Sequence, residues 1–152
     1  MKTALFASIL SLLALLFQLF RIMAENLLAL REFSFLRGLL LFRLHHNRGI
    51  AFSLFSSSPG YLSLAIFVSL CAAAGFFLLQ RKKLHPQRFF FWGCLLLLAG
   101  GISNLGERLL FGVVTDYVGF PLPLYGYLFV NLADLALLTG AGMILLSTRK
   151  IR

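Results

Sequence analysis

A chain of 152 residues that is 60% hydrophobic and only 12% charged lies outside the range of ordinary soluble domains. Its net charge of +9 is carried mainly at the ends of apolar blocks, which reads as membrane-surface anchoring and argues against a nucleic-acid partner. Cys71 and Cys94 lie inside apolar blocks without a CxxC or a neighbouring histidine, so both read as small core residues and say nothing about redox compartment.

Four segments have the roughly 20-residue length that a bilayer helix requires. The first is TALFASILSLLALLFQLF, 3–20, read as a retained span because its apolar run is long for a signal peptide and no clear A-x-A site follows. Within 21–60, FRLHHNRGIAFSLF alternates partly between apolar and polar residues, predicting short strands around a Gly49 turn. NLLALREFSFLRGLLLF, 26–42, fits either a strand or an interfacial amphipathic helix. SSSPG, 56–60, is a loop leading to the second span, YLSLAIFVSLCAAAGFFLLQ at 61–80.

The connection RKKLHPQR, 81–88, precedes a third span from Phe89 to Phe111, with Gly112 as its stop. VVTDYV, 113–118, is rich in β-branched residues and reads as an extended segment that folds back over the helix ends. The fourth span is YLFVNLADLALLTGAGMILL, 127–146. Lys2, the 81–88 loop and the TRKIR tail put every lysine on one side of such a topology, which places both termini in the cytoplasm. The expected fold is therefore an all-α membrane protein, one integral domain over 1–152, with a small strand-containing extracytoplasmic segment at 21–60.

Acids are scarce: Glu25, Glu32, Glu107, Asp116 and Asp134 complete the set. Asp134 falls about seven residues into the fourth span, roughly 10 Å below its outer end, where an ionised carboxylate needs a polar cavity, a shifted pKa or a partner. Asn131 lies three residues before it, on the same helix face. Asn104 sits at a similar depth in the third span, followed at i+3 and i+4 by Glu107 and Arg108. If 113–118 folds back, Asp116 and Asp134 meet at the mouth of the bundle. Glu107 with Arg108 could be a plain charge pair, Asn104 and Asn131 plain interhelical glue, and Asp134 a buried acid tied to Arg108. The spacing alone also accommodates the proton relay of a small transporter. His45, His46 and His85 show no zinc spacing, and His45 and His46 read as wetted surface residues.

NRGIAFSLF (47–55), GGISNLGERL (100–109), VVTDYV (113–118) and FVNLADLAL (129–137) together resemble, in order and spacing, the blocks of the lipoprotein signal peptidase (signal peptidase II) family. The resemblance covers roughly 17–146. It implies an aspartic endopeptidase, multi-pass in the bacterial cytoplasmic (inner) membrane, that removes the signal peptide of prolipoproteins just before the lipid-modified cysteine. By the same resemblance Asp116 and Asp134 are the catalytic pair, and Asn47, Asn104, Arg108 and Asn131 line or support the site. Gly49, beside Asn47, is expected to let the backbone approach substrate closely. Lipidated prolipoproteins and membrane lipid are the implied partners and globomycin the implied inhibitor, with no metal and no cofactor. Three positions depart from the family pattern. The first-span Asp-Gln-x-x-Lys is represented by FQLFR, with Phe17 for Asp and Arg21 for Lys; Glu107 stands where Asp is commoner; Leu135 stands where a small hydroxyl residue is frequent. These departures motivate one alternative, a divergent paralogue with altered or lost peptidase activity.

Overall fold

The computed structural model describes residues 3–49, 57, 59–84, 88–124 and 126–148. Residues 50–55 of the first family block, His85, Lys2 and residues 149–152 of the basic tail lie outside the described residues. In chain order the elements are helix α1 (Thr3–Leu28), strand β1 (Phe33–Phe35), a 3-10 turn (Leu36–Gly38), strand β2 (Leu40–Asn47), helix α2 (Pro59–Leu84), helix α3 (Arg88–Phe111), strands β3 (Val114–Leu122) and β4 (Gly126–Val130), and helix α4 (Leu132–Thr148). The protein is mostly helical, and the four strands form one antiparallel sheet in the order β1-β2-β3-β4.

Among the described residues three helices are long and apolar enough to cross a membrane: Ala4–Leu28, Gly60–Leu79 and Arg88–Phe111. The fourth apolar helix is shorter than its sequence suggested. Residues 127–130, assigned to the fourth span by hydropathy, instead pair with β3 from Val130↔Val118 to Tyr127↔Pro121. The helix begins only where Asn131 and Asp134 cap it reciprocally. Asn131 Oδ1 accepts the Asp134 N–H at 2.9 Å, and Asp134 Oδ2 accepts the Asn131 N–H at 3.1 Å. This is the side-chain exchange of a capping box, which satisfies amides that otherwise have no intrahelical partner. Asp134 consequently occupies the first turn of α4, not a position several residues inside it.

Three further expectations change. Helix α1 runs on to Leu28, eight residues past the end of the apolar run, because Arg21 and Glu25 form an i,i+4 ion pair at 2.6 Å that continues the helix through its polar end. The 26–42 segment is a composite of helix end, strand and 3-10 turn, with Leu36 and Arg37 in the left-handed region (φ 50 and 56). The sheet is also not built from 21–60 alone, since β3 and β4 come from the connection between α3 and α4. The extended reading of 113–118 holds.

Helices α3 and α4 are the most intimate pair, and small residues allow it. A Cβ built on Gly140 would lie 2.6 Å from the Gly93 carbonyl oxygen and 2.8 Å from the Leu97 nitrogen; one on Gly100 would lie 2.5 Å from the Ala133 oxygen. Backbone-to-backbone contact of this kind is how helices associate where lipid removes most of the hydrophobic driving force. Away from the sheet the helices close on an aromatic cluster. Phe6 stacks on Phe77 (centroids 4.4 Å) and meets Phe91 edge-on (5.4 Å), beside buried Phe90 and Cys94.

Gly140→Ala is expected to destabilise the protein by about 1–3 kcal/mol through overpacking against α3. Gly142→Ala, whose added methyl meets nothing within 4 Å, is expected to leave stability unchanged or slightly raised. Thermal unfolding of both variants in one detergent compares them directly.

Candidate active site

Strand alternation and the helix ends together explain how five polar residues converge. In β2 and β3, His45 pairs with Asp116 and Asn47 with Val114. Side chains two apart on a strand share a face, so Asn47 and Asp116 point to the same side of the sheet. Asn47 Nδ2 donates to Asp116 Oδ2 at 3.2 Å, and Asn131 Nδ2 donates to Asp116 Oδ1 at 2.9 Å. On the neighbouring helix Asn104 Nδ2 donates to Asp134 Oδ1 at 2.7 Å. Asn131 also donates from Nδ2 to Asn104 Oδ1 at 3.3 Å. All four carboxylate oxygens of the two aspartates thus accept at least one hydrogen bond.

The three amides are themselves oriented. Asn47 Oδ1 accepts the Gly49 N–H at 2.9 Å and Asn131 Oδ1 accepts the Asp134 N–H. With their oxygens committed to backbone donors, both must present their NH2 groups to Asp116. Two aspartates and three asparagines therefore form one connected network, with Asn131 touching every other member except Asn47.

Both aspartates line a cavity of about 750 Å³ whose walls are largely apolar, among them Leu62, Ile66, Leu70 and Leu137. Asn47, Asn104 and Arg108 line it too. Asp116 is 1% exposed. Burial, and secondarily the Asp134 carboxylate, push its pKa up from 3.8 to about 7, against the pull of the Asn47 and Asn131 hydrogen bonds. Asp116 therefore stands ready to hold or release a proton near neutrality. Two acids in one water-poor cavity, one of them titrating near neutrality, can serve general acid and general base chemistry together.

Arg108 lines the cavity with both aspartates, and its hydrogen bonds go to backbone carbonyls rather than to a carboxylate: Gly49 at 2.6 Å and Asn47 at 3.5 Å. Among the described residues its Nε is buried without a hydrogen-bond partner. Glu107 is no partner for it either, because successive helix residues project about 100° apart. Glu107 turns away, accepting the Thr115 N–H at 2.8 Å. Arg108 is thus a clamp on the Asn47–Gly49 turn. His45 is not a wetted surface residue. It is partly buried and stacked on Phe129 at 5.2 Å, and burial, then Arg43 and His46, lower its pKa. Among the described residues no three His, Cys, Asp or Glu side chains are arranged to hold a metal.

Sequence reasoning grouped Asp116, Asp134, Asn47, Gly49, Asn104, Arg108 and Asn131; the structure puts Asp116, Asp134, Asn47, Asn104 and Arg108 on the wall of one cavity, with Asn131 hydrogen-bonded to Asp116 and Asn104 and Gly49 to Asn47 and Arg108. It overlooked Tyr117, whose hydroxyl accepts the Leu132 N–H at 3.1 Å and so fixes the start of α4 against β3. No residue pattern announces that contact.

The chain is similar to several known proteins. The family described as Signal peptidase (SPase) II matches residues 9–150. A lipoprotein signal peptidase of Sinorhizobium fredii is 36% identical over 112 residues, covering 70% of this chain and 66% of that protein, a little under two thirds. The lipoprotein signal peptidase of Brucella ovis is 38% identical over 117 residues, covering 76% and 71%. A solved bacterial membrane enzyme, determined in meso at 2.3 Å, superposes with a TM-score of 0.80 at 22% identity, covering 98% of this chain and 90% of that one. A second, at 1.9 Å, gives 0.75 at 22% identity. At that identity the structural likeness establishes the fold alone.

The raised pKa of Asp116 has a sign that can be measured. Between pH of about 4 and about 7 the folded protein keeps a proton that the unfolded chain has released, so this group's contribution to stability is present below that window and lost on crossing it upward. The Tm of the wild type is expected to fall more steeply from pH 5 to pH 8 than that of Asp116→Asn, with parallel curves as the contrary result. Arg108→Ala, which deletes the two carbonyl contacts, is expected to cost roughly 1.5–3 kcal/mol, with Arg108→Lys in between because it lacks the planar fork. An unchanged Tm in Arg108→Ala would remove the clamp from the account.

Proposed function

The chain belongs to the signal peptidase II family, and from that premise we propose that it is an aspartic endopeptidase with Asp116 and Asp134 as its catalytic pair. It removes the signal peptide from prolipoproteins, cutting before the lipid-modified cysteine. The observation that carries the catalytic assignment is the donor network: every oxygen of both carboxylates accepts a hydrogen bond inside one largely apolar cavity. Such a site tolerates negative charge, yet burial keeps both acids from ionising together.

In this reading the pair shares one proton. The ionised member takes a proton from a water, and the water oxygen attacks the scissile carbonyl carbon. The protonated member hydrogen-bonds the carbonyl oxygen and then delivers a proton to the departing amine. The pair titrates as a unit, and its role reverses within one turnover. Asn47, Asn104 and Asn131 hold the carboxyl groups in place, while Arg108 and Gly49 fix the turn that flanks the cavity.

The membrane setting follows from the same premise. We place the protein in the bacterial cytoplasmic membrane, with α4 as a fourth span; its 17 residues reach about 25 Å, at the short end of what a bilayer helix needs. Both termini and the α2–α3 connection face the cytoplasm, supported by Arg81, Lys82 and Lys83 at that end. The apolar wall formed by α2 and α4 then lets the acyl chains of the substrate stay among lipid while its peptide reaches the pair. Neither the transporter nor the paralogue alternative is favoured, since the family and the relatives are peptidases.

Purified protein incubated with a lipidated prolipoprotein is expected to produce a mass loss equal to the signal peptide. Asp116→Asn and Asp134→Asn should each reduce turnover by roughly 10³-fold or more while remaining folded, and the double variant should be hardly worse than either. Globomycin should block the wild type and bind both variants more weakly. Substantial turnover by either single variant would remove the pair from the mechanism.

A further inference from the structure

Strand β3 has two faces, and the catalytic reading uses only one. Asp116 points into the cavity; Thr115 points to the opposite side, as adjacent strand residues must. There Thr115 joins a closed ring of side chains. Thr115 Oγ1 donates to Glu25 Oε1 at 3.2 Å. Glu25 Oε1 also accepts from Arg21 at 2.6 Å. Arg21 Nε donates to Gln18 Oε1 at 2.9 Å, and Gln18 Nε2 donates to Glu107 Oε1 at 3.4 Å. Glu107 Oε2 accepts the Thr115 N–H at 2.8 Å, which closes the ring. Gln18 Nε2 is further anchored on Ser103, to Oγ at 2.9 Å and to the carbonyl at 3.2 Å. Arg21 also lies over the Phe111 ring at 4.9 Å. Three elements, α1, α3 and β3, meet in this ring.

The ring grips β3 on the edge that β4 leaves unpaired. Strand β4 pairs with β3 only from Val118 onward, so the stretch around Thr115 and Asp116 has a single strand neighbour, β2. On its other side the Thr115 amide goes to Glu107. The Thr115 hydroxyl and amide are thus held by two different carboxylates from two different helices. Thr115 and Glu107 are each 3% exposed, which makes the bond between them poorly replaceable by water; the Glu25 side chain, 34% exposed, is held in place by Arg21.

We propose that Glu25 is a positioning residue for the reaction, acting through Thr115 to set the height and rotation of Asp116 relative to Asp134. Arg21 and Gln18 hold Glu25 on station. The inference rests on Asp116 being a member of the catalytic pair. Small displacements of a reacting group cost far more rate than stability, so loss of the Glu25–Thr115 bond shows in turnover before it shows in folding.

Thr115→Val deletes the hydroxyl at nearly constant volume, and Glu25→Ala deletes its acceptor. Each is expected to lower kcat about 10-fold per folded enzyme, with KM for a lipidated prolipoprotein held within about twofold. The double variant should fall no further than the worse single one. Thr115→Ser, which restores the donor, should recover most of the loss, and Glu25→Gln, which keeps an acceptor without the charge on Arg21, should be intermediate. Folded variants with a lowered Tm and an unchanged kcat would reduce the ring to a structural brace and overturn the proposal. Independent, multiplying losses in Thr115→Val and Glu25→Ala would overturn it as well. The wild type is assayed in parallel: an active wild type with unaffected variants refutes the positioning role alone, whereas an inactive wild type refutes the peptidase reading and this inference with it.

Discussion

Two carboxyl groups held away from bulk water must be surrounded by donors, and the arrangement at the sheet end of this bundle answers to that requirement. Asn131 meets most of it. Its side chain donates to Asp116 and Asn104, its side-chain oxygen accepts from Asp134, and its own amide donates back to Asp134. The same exchange that starts α4 therefore also fixes one aspartate and joins it to the other. A helix cap and an acid pair share their hydrogen bonds, so neither can shift without the other.

That economy works only if α3 and α4 stand close and in one register. Gly93 against Gly140 and Gly100 against Ala133 bring the two backbones together along the helices. The next step along this antiparallel pairing sets Asn104 beside Asn131 and Asp134. Packing of small residues well below the sheet thus determines the distance across which the amides reach the carboxylates. The aromatic cluster around Phe6, Phe77 and Phe91 closes the opposite end.

Much of this was legible in the sequence, and the misses have two causes. Apolar runs located α2 and α3 to within a few residues, and the β-branched VVTDYV segment was extended as its composition implied. Hydropathy failed wherever an apolar stretch served the sheet. Tyr127–Val130 is as apolar as the helix that follows, and only strand pairing separates them. Asn131 and Asp134 carried a readable Asn-x-x-Asp cap, but depth counting through the assumed span hid it. Glu107 and Arg108 are neighbours in sequence, and their side chains serve different parts of the molecule: one the amide of Thr115, the other the carbonyls of Asn47 and Gly49. Long-range partners of this kind leave no trace in spacing.

The departures from the family pattern look different once placed in three dimensions. Leu135 follows Asp134, yet it is absent from the cavity wall, which α4 supplies through Asp134, Leu137, Leu138 and Ala141. At the first span, Phe17 leaves Arg21 without an acid one turn before it, and the ion pair forms one turn after it, with Glu25. The guanidinium remains neutralised, and its partner now sits high enough on α1 to receive the Thr115 hydroxyl. Eight residues carry an acid about 12 Å along the helix and rotate it by about 80°, still within one turn of Arg21. The charge balance of α1 is thereby kept, and the acid comes within reach of the strand that carries Asp116.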